Sequence, residues 1–198
     1  MCIRDSFEGA QGALLDVDHG TYPFVTSSTT TAGGASSGVG VYVDLHRRLA
    51  VSKAYTTRVG NGPFPTELLD ETGEKLRALG HEFGATTGRP RRCGWLDLPA
   101  LRHAFRLNGV TDMAITKLDV LAGFETIRVA TEYRAGAPVY RDFEGFGSLE
   151  GVNDRDALPK AARSYLAFLE AELDASLSIL SIGADRDRTL VFREILPA

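Results

Sequence analysis

The sequence predicts an α/β fold in which strands and helices alternate. Asp112–Asp119 is a short apolar strand that ends in Thr-Lys-Leu-Asp. Ala161–Leu173 repeats apolar residues at helical spacing, and Leu177–Gly183 is a second strand-like run that ends in a small-residue turn. Strands separated by helices are typical of a parallel sheet.

The amino-terminal third carries weaker signals. Phe7–Gly12 is typical of the end of a strand followed by a tight glycine-rich turn. Ser27–Gly40 is rich in Ser, Thr and Gly and lacks hydrophobic periodicity, which predicts a loop. Val41–Tyr55 is predicted to be helical, because a helix would gather its apolar residues loosely on one side. Those residues are Val43, Leu45, Leu49 and Val51.

Two helices are predicted in the middle of the chain. Glu67–Leu79 is expected to end at Gly80. Leu98–Leu107 follows Asp97, whose carboxylate suits an N-cap, and Gly109 comes just past its end.

The carboxyl-terminal part continues the alternation. Thr126–Tyr133 alternates as a strand does, Gly145–Asn153 is a loop, and Thr189–Arg193 is a closing strand. The helix Ala161–Leu173 has one apolar face, made by Ala162, Tyr165, Leu166 and Leu169. The sequence shows no internal repeat and no linker, so residues 1–198 are treated as one domain.

Composition excludes several classes of protein. Lys and Arg number 22 against 26 Asp and Glu, a formal net charge of −4, which argues against nucleic acid as the main partner. No segment approaches the roughly 20 apolar residues of a membrane helix. Residues 1–6 lack the apolar centre of a secretory signal. Two cysteines are too few for a disulfide framework, which indicates a cytoplasmic protein.

A cluster of positive charge interrupts this acidic chain. Three arginines fall within Arg89–Arg92, inside the stretch Gly84–Asp97. Guanidinium groups can hold carboxylates or phosphates through two parallel hydrogen bonds. A solvated basic turn is the alternative, because short basic runs are weak signals.

The Thr-Lys-Leu-Asp element suggests nucleotide recognition. Asp119 could accept two parallel hydrogen bonds from the N1–H and N2–H₂ groups of guanine, which adenine cannot offer, while the stem of Lys117 lies along the purine face. The turn after Leu177–Ile182 could approach the guanine carbonyl through backbone N–H groups. A surface loop with one ion pair is the alternative.

Several long segments closely resemble adenylosuccinate synthetase. They are Phe7–Ser28, Thr31–Gly34, Lys53–Leu68, the arginine run and Thr116–Leu121. The likeness is closest from Phe7 to Asp119 and looser beyond.

The resemblance implies part of a mostly parallel, P-loop-NTPase-like sheet flanked by helices, lacking the amino-terminal half. Nothing in the chain matches the family's Gly-Asp-Glu-Gly-Lys-Gly phosphate loop. The catalytic Asp and His and the ligands of Mg²⁺ are therefore expected in the missing half. Residues 1–6 do not match the family, and Arg134–Phe146 is shortened relative to it.

The implied activity is a GTP-dependent ligation. GTP phosphorylates the 6-oxygen of IMP, and the amino group of L-aspartate displaces that phosphate to give adenylosuccinate, GDP and phosphate. The family commonly works as a homodimer. The alternative is a catalytically incomplete fragment that binds guanine nucleotide or IMP.

The resemblance also assigns residues to three ligands. The IMP residues are Gln11, Thr26 and Arg89. The aspartate residues are Ala85, Thr86, Thr87, Gly88, Arg89, Pro90 and Arg91. The GTP residues are Arg91, Lys117, Leu118, Asp119, Ser181, Ile182 and Gly183. Relatives often carry a hydroxyl residue at Ile182 and a proline at Ala184, and guanine preference is expected to survive both departures.

Other conspicuous residues are predicted to be structural. Asp16, Asp18 and His19 suggest acid–base or metal chemistry, but a metal site needs more ligands than these. Trp95 is predicted to be a packing anchor, and Cys93 a small buried side chain without a base partner.

Overall fold

The computed structural model describes residues 6–84 and 88–195. The strands are β1 Leu49–Lys53, β2 Thr56–Arg58, β3 Arg92–Gly94, β4 Leu96–Asp97, β5 Asp112–Thr116, β6 Thr126–Arg134, β7 Ala137–Glu144, β8 Ser176–Ser181 and β9 Thr189–Val191. The helices are α1 Gly34–Val39, α2 Glu71–Leu79, α3 Leu98–Asn108 and α4 Lys160–Leu173, and short 3-10 helices cover Ala13–Leu15, Leu118–Leu121 and Arg186–Arg188.

The main sheet is mostly parallel, as predicted. Its four strands run in the order β1-β5-β8-β9, and only β9 is antiparallel to its neighbour. A three-stranded sheet has the order β4-β6-β7, and β2 pairs with β3. In the main sheet Lys53 lies beside Thr116, so the chains leaving β1 and β5 emerge at the same edge.

The core lies between this sheet and the helices that cover it. Four of the five residues of β5 are buried. The predicted apolar face of α4 is confirmed, because Ala162, Tyr165, Leu166 and Leu169 are all at most 1% exposed. The Tyr165 hydroxyl donates to the Ala54 carbonyl at 2.7 Å, which ties α4 to the end of β1. Trp95 is buried edge-on against Phe124, which confirms it as a packing anchor.

Helix ends follow the caps read from the sequence. The Asp97 carboxylate accepts from the Ala100 N–H, and Gly109 ends α3 with a left-handed φ of 56°. Helix α2 begins at Glu71 rather than at Glu67, because the Asp70 carboxylate caps it.

Three local predictions are wrong. The segment predicted as the helix Val41–Tyr55 contains strand β1, whose pairing with β5 outweighs weak helical periodicity. Leu49 and Val51 are spaced two apart, as in a strand, but they lie at a sheet edge and are 37% and 72% exposed. Ser27–Gly40 contains helix α1, which ends at left-handed Gly40. Within Phe7–Gly12 the structure has exposed irregular chain instead of a strand end.

Residues 134–146, predicted to be shortened relative to the family, complete a β-hairpin. Strand β7 was not predicted, and it pairs antiparallel with β6 along its whole length. The turn residues Ala135 and Gly136 both have positive φ, of 49° and 83°, as a tight two-residue hairpin turn requires.

Gly94 is required where β3 meets the chain leading into α2. A methyl group at Gly94 would lie 2.1 Å from the Thr66 carbonyl oxygen, so Gly94→Ala forces the backbone apart. We expect it to lower the free energy of unfolding by about 1–3 kcal/mol, measured by urea denaturation. Gly147→Ala is the control, because a methyl there meets nothing within 4 Å. Equal stability of the two variants would contradict the prediction.

Candidate functional site

The arginine run closes a hairpin-like loop next to the carboxyl edge of the main sheet. Phe83 bridges to Pro90, and the Arg91 N–H donates to the Glu82 carbonyl at 2.8 Å. The Gly84 N–H donates to the Arg89 carbonyl, also at 2.8 Å. Arg89 and Pro90 are exposed, whereas Arg91 is half-buried.

Part of the predicted aspartate site, namely Ala85, Thr86 and Thr87, lies outside the described residues. Gly88 is exposed, and its φ of 62° belongs to the left-handed region that glycine favours. Its N–H donates to the Gly84 carbonyl at 2.8 Å, which helps to close the loop.

The residue at the centre of this region is Glu82, which the sequence analysis missed. Its carboxylate is fully buried. One oxygen, Oε1, accepts from Lys53 Nζ at 2.7 Å, from the Tyr55 hydroxyl at 2.7 Å and from Lys117 Nζ at 3.1 Å. The other, Oε2, accepts from Arg91 Nη1 at 2.9 Å. Three cations from separate parts of the chain therefore share one carboxylate.

The charge state of Glu82 follows from these contacts. Burial raises the pKa of its carboxyl, but the four hydrogen bonds, led by that from Lys53, outweigh burial and lower the pKa to about 2. Burial also lowers the pKa of the Lys53 ammonium. The hydrogen bond and charge of Glu82 raise that pKa, whereas the positive charges of Lys117 and Arg91 lower it further. Three cations against one carboxylate leave excess positive charge, which favours an anionic ligand nearby.

Acid stability tests this charge assignment. Because the folded pKa of about 2 lies below the ordinary 4.5, Glu82 stabilises the fold fully above pH 4.5 and loses this effect as the pH falls towards 2. Between these two pH values we expect the free energy of unfolding to fall by on the order of 3 kcal/mol more in the unmodified chain than in Glu82→Gln. Chemical denaturation at several pH values measures it, and parallel curves would disprove it.

Asp119 lies on the 3-10 helix that directly follows β5. Lys117 adopts a left-handed conformation with φ 58°, which turns the chain from the strand into that helix. The Lys117 ammonium donates to the Gly80 carbonyl and to Glu82, so its charge is directed towards the arginine loop. Only its alkyl stem is available to a purine. Leu118 is fully buried and belongs to the core.

A cavity adjoins Asp119. It has a volume of about 390 Å³ and is lined by Asp119, Ala122, Ser148, Leu149, Glu150, Ile182 and Arg188. Asp119 Oδ1 is buried and has no hydrogen-bond partner among the described residues. A buried carboxylate oxygen without a partner is costly, which indicates a ligand donor at this position.

The turn after β8 forms another wall of the cavity. Ile182 is 2% exposed, and its N–H already donates to the Arg188 carbonyl at 2.9 Å, so this donor is occupied. Ser181 Oγ donates to the Gly183 carbonyl at 3.0 Å. Arg188 also donates to the Leu149 carbonyl at 2.8 Å and thereby joins two walls of the cavity.

Two of the three predicted IMP residues, Gln11 and Thr26, lie in the amino-terminal segment, and the third, Arg89, lies in the arginine loop. Gln11 is exposed just before the 3-10 helix Ala13–Leu15, whereas Thr26 is half-buried and its N–H donates to the Leu15 carbonyl at 2.8 Å. Arg58 fastens this segment to β2 by donating to Thr21 Oγ1 at 2.7 Å.

Asp16 organises the same segment. Its buried carboxylate accepts from the N–H groups of Asp18 and His19 at 3.0 Å and of Thr30 at 2.6 Å. Burial raises the pKa of this carboxyl, but these backbone donors lower it overall. The contacts account for Asp16 as a residue that folds the turn.

Neither a metal cluster nor a membrane span emerges from the part of the chain that the structure describes. Across residues 6–84 and 88–195, no three His, Cys, Asp or Glu side chains are placed to hold a metal ion. Over the same residues, every helix is too short or too polar to cross a bilayer.

The family model of adenylosuccinate synthetase matches residues 6–190. The chain is 53% identical over 206 residues to adenylosuccinate synthetase of Trichlorobacter lovleyi, covering 94% of this chain and 48% of that protein. It is 55% identical over 212 residues to adenylosuccinate synthetase of Acidithiobacillus ferrooxidans, covering 98% of this chain and 49% of that protein. A solved structure of the fully ligated Plasmodium falciparum adenylosuccinate synthetase is similar with a TM-score of 0.88 and 40% identity, over 94% of this chain and 49% of that one. The chain thus spans about half the length of the curated relatives it matches.

Proposed function

The chain belongs to the adenylosuccinate synthetase family, and we propose that it supplies ligand-binding walls for the GTP-dependent ligation of IMP and L-aspartate. In this reaction GTP phosphorylates the 6-oxygen of IMP, which turns a poor leaving group into phosphate. The amino group of aspartate then displaces that phosphate. Adenylosuccinate, GDP and phosphate are the products, in the biosynthesis of AMP.

The observation that carries this proposal is the unpartnered Asp119 Oδ1 beside a cavity. Guanine offers N1–H and N2–H₂ as adjacent donors, which match the two oxygens of one carboxylate. The volume of about 390 Å³ suits a ligand of this size. Gly183 supplies the next backbone donor after Ile182, and the stem of Lys117 supports the purine face.

The arginine loop is proposed to hold the anionic partners. Thr87 and Arg89 bind the carboxylates of aspartate, with the rest of Ala85–Arg91 forming the loop that covers it. Arg89 also approaches the ribose of IMP, and Arg91 reaches towards GTP. A dianionic amino acid beside a triphosphate needs this positive charge, because an unpaired buried carboxylate costs several kcal/mol. Gln11 and Thr26 bind the base and the 5′-phosphate of IMP.

The remaining parts of the machinery are assigned to the half of the relatives that this chain does not span. Nothing in the chain matches the family's Gly-Asp-Glu-Gly-Lys-Gly phosphate loop, and we place the ligands of Mg²⁺, the catalytic Asp and the catalytic His in that half. The complete enzyme is proposed to be a cytoplasmic homodimer.

A second function is favoured for this polypeptide by itself. The chain spans about half the length of its relatives, and for the isolated chain we propose binding of guanine nucleotide or IMP without any transfer.

Phosphate release that depends on GTP, IMP and aspartate tests both functions. We expect none from the isolated chain, and we expect release together with adenylosuccinate when the chain is part of a synthetase of full family length. Turnover by the isolated chain would overturn the placement of the catalytic groups outside it. A full-length enzyme that consumes GTP without forming adenylosuccinate would overturn the proposed ligation.

A further inference from the structure

Glu82 connects two regions that the proposed function assigns to different ligands. Arg91 belongs to the arginine loop, proposed for aspartate and GTP, and Lys117 belongs to the element proposed for guanine. Both side chains donate to the same buried carboxylate, at 2.9 and 3.1 Å. The residues assigned to IMP, aspartate and GTP do not include Glu82.

The loop is attached to Glu82 through its backbone as well. The Arg91 N–H donates to the Glu82 carbonyl at 2.8 Å, so backbone and side chain of Arg91 are fixed to one residue. Lys117 Nζ donates to the Gly80 carbonyl, two residues before Glu82. Gly80 and Glu82 therefore anchor Lys117 at the base of the arginine loop.

The carboxylate itself has no freedom to adjust alone. It is fully buried, and Lys53 and Tyr55 hold Oε1 from the end of β1. When Arg91 or Lys117 turns towards a ligand, Glu82 must strengthen or weaken its hydrogen bond to the other. Two sites that bias one shared element are coupled thermodynamically.

We propose that Glu82 is a positioning residue that couples occupancy of the arginine loop by a dicarboxylate to guanine-nucleotide binding at Asp119. The proposal rests on the proposed function, because that function assigns the two ligands. Glu82 touches neither ligand and acts through Arg91 and Lys117. A dicarboxylate at the loop draws Arg91 away from Glu82 Oε2, and the strengthened hydrogen bond from Lys117 to Glu82 holds the Lys117 stem against the purine pocket. Guanine nucleotide then binds more tightly.

Equilibrium binding in a full-length synthetase that carries this chain tests the coupling. The probes are a non-hydrolysable GTP analogue and succinate, which keeps both carboxylates of aspartate and lacks the reactive amine. With IMP present, the Kd of the analogue is measured with and without saturating succinate. We expect succinate to tighten nucleotide binding roughly fivefold or more. In Glu82→Gln the ratio of the two Kd values is expected to fall close to one.

Glu67→Gln is the matched control. Glu67 holds the neighbouring Arg92 through two hydrogen bonds, of 2.8 and 2.5 Å, and so also pairs a carboxylate with the arginine run. The described contacts of its side chain do not include Lys117. We expect this variant to lose stability and keep the full coupling ratio, which separates loss of an ion pair from loss of the connection.

Three results would overturn the coupling. They are an absence of coupling in the unmodified enzyme, full coupling in a folded Glu82→Gln variant, or equal loss of coupling in Glu67→Gln. If Glu82→Gln does not fold, a double-mutant cycle of Arg91→Met and Lys117→Met on nucleotide affinity replaces it, and additive effects would overturn the proposal. Ligase activity of the unmodified enzyme is assayed in parallel, so failure of the proposed function is distinguished from failure of the coupling.

Discussion

Replacing Asp119 by asparagine is expected to abolish the preference for GTP in a full-length enzyme that carries this chain. The carboxylate is proposed to accept from N1–H and N2–H₂ of guanine, and asparagine has only one acceptor and places an N–H₂ group against the second donor. Each charge-assisted hydrogen bond contributes about 1.5–3 kcal/mol, so loss of both lowers kcat/KM for GTP by roughly 10²–10⁴-fold.

The nucleotide series makes this prediction specific. Inosine triphosphate lacks the 2-amino group, and xanthosine triphosphate carries an acceptor there that the asparagine N–H₂ can satisfy. We expect kcat/KM for these two to change less than that for GTP. Asp185→Asn is the control, since Asp185 is an exposed carboxylate on the neighbouring turn. An unchanged order of the three nucleotides would remove Asp119 from the guanine site.

Replacing Arg89 by leucine is expected to impair the use of aspartate more than that of GTP. One charge-assisted contact to a carboxylate contributes about 1.5–3 kcal/mol, equivalent to a loss of roughly 10- to 150-fold in kcat/KM for aspartate. Arg89 is exposed near the tip of its loop, so the loss of stability is expected to be small.

Arg92→Gln separates this effect from general damage to the loop. Arg92 is half-buried and holds Glu67, with Nη1 also donating to the Gly62 carbonyl at 2.9 Å. We expect this variant to unfold at a lower denaturant concentration while its KM for aspartate stays near normal. Normal aspartate kinetics in Arg89→Leu would require that the role of Arg89 be withdrawn.

Helices and strands were predicted correctly from the sequence where the residues that determine them are neighbours in the chain. Helix α3 has its carboxylate cap at Asp97 and its glycine end at Gly109, and helix α4 has a continuous apolar face. Strand β5 is apolar because it is buried between two neighbours. Each of these signals lies within about fifteen residues of chain, so no distant partner was needed to interpret it.

Strand β1 shows why local signals fail at an edge. Its exposed face includes Val51, and its identity as a strand comes from hydrogen bonding to β5, some sixty residues later. The hairpin β6–β7 was missed for a related reason. Its turn uses Ala135, which is not a residue that usually marks a positive φ.

By itself, the sequence determined the α/β class, the capped helices, the arginine run and the Thr-Lys-Leu-Asp element, because each depends on residues that are neighbours in the chain. Only the tertiary structure decided that Lys53, Arg91 and Lys117 meet at Glu82. Parallel pairing of β1 with β5 brings residues 53 and 117 to one edge, and the arginine loop packs there. Burial of a carboxylate is tolerated only where several donors converge on it, and that convergence depends on long-range packing, which no short stretch of sequence records.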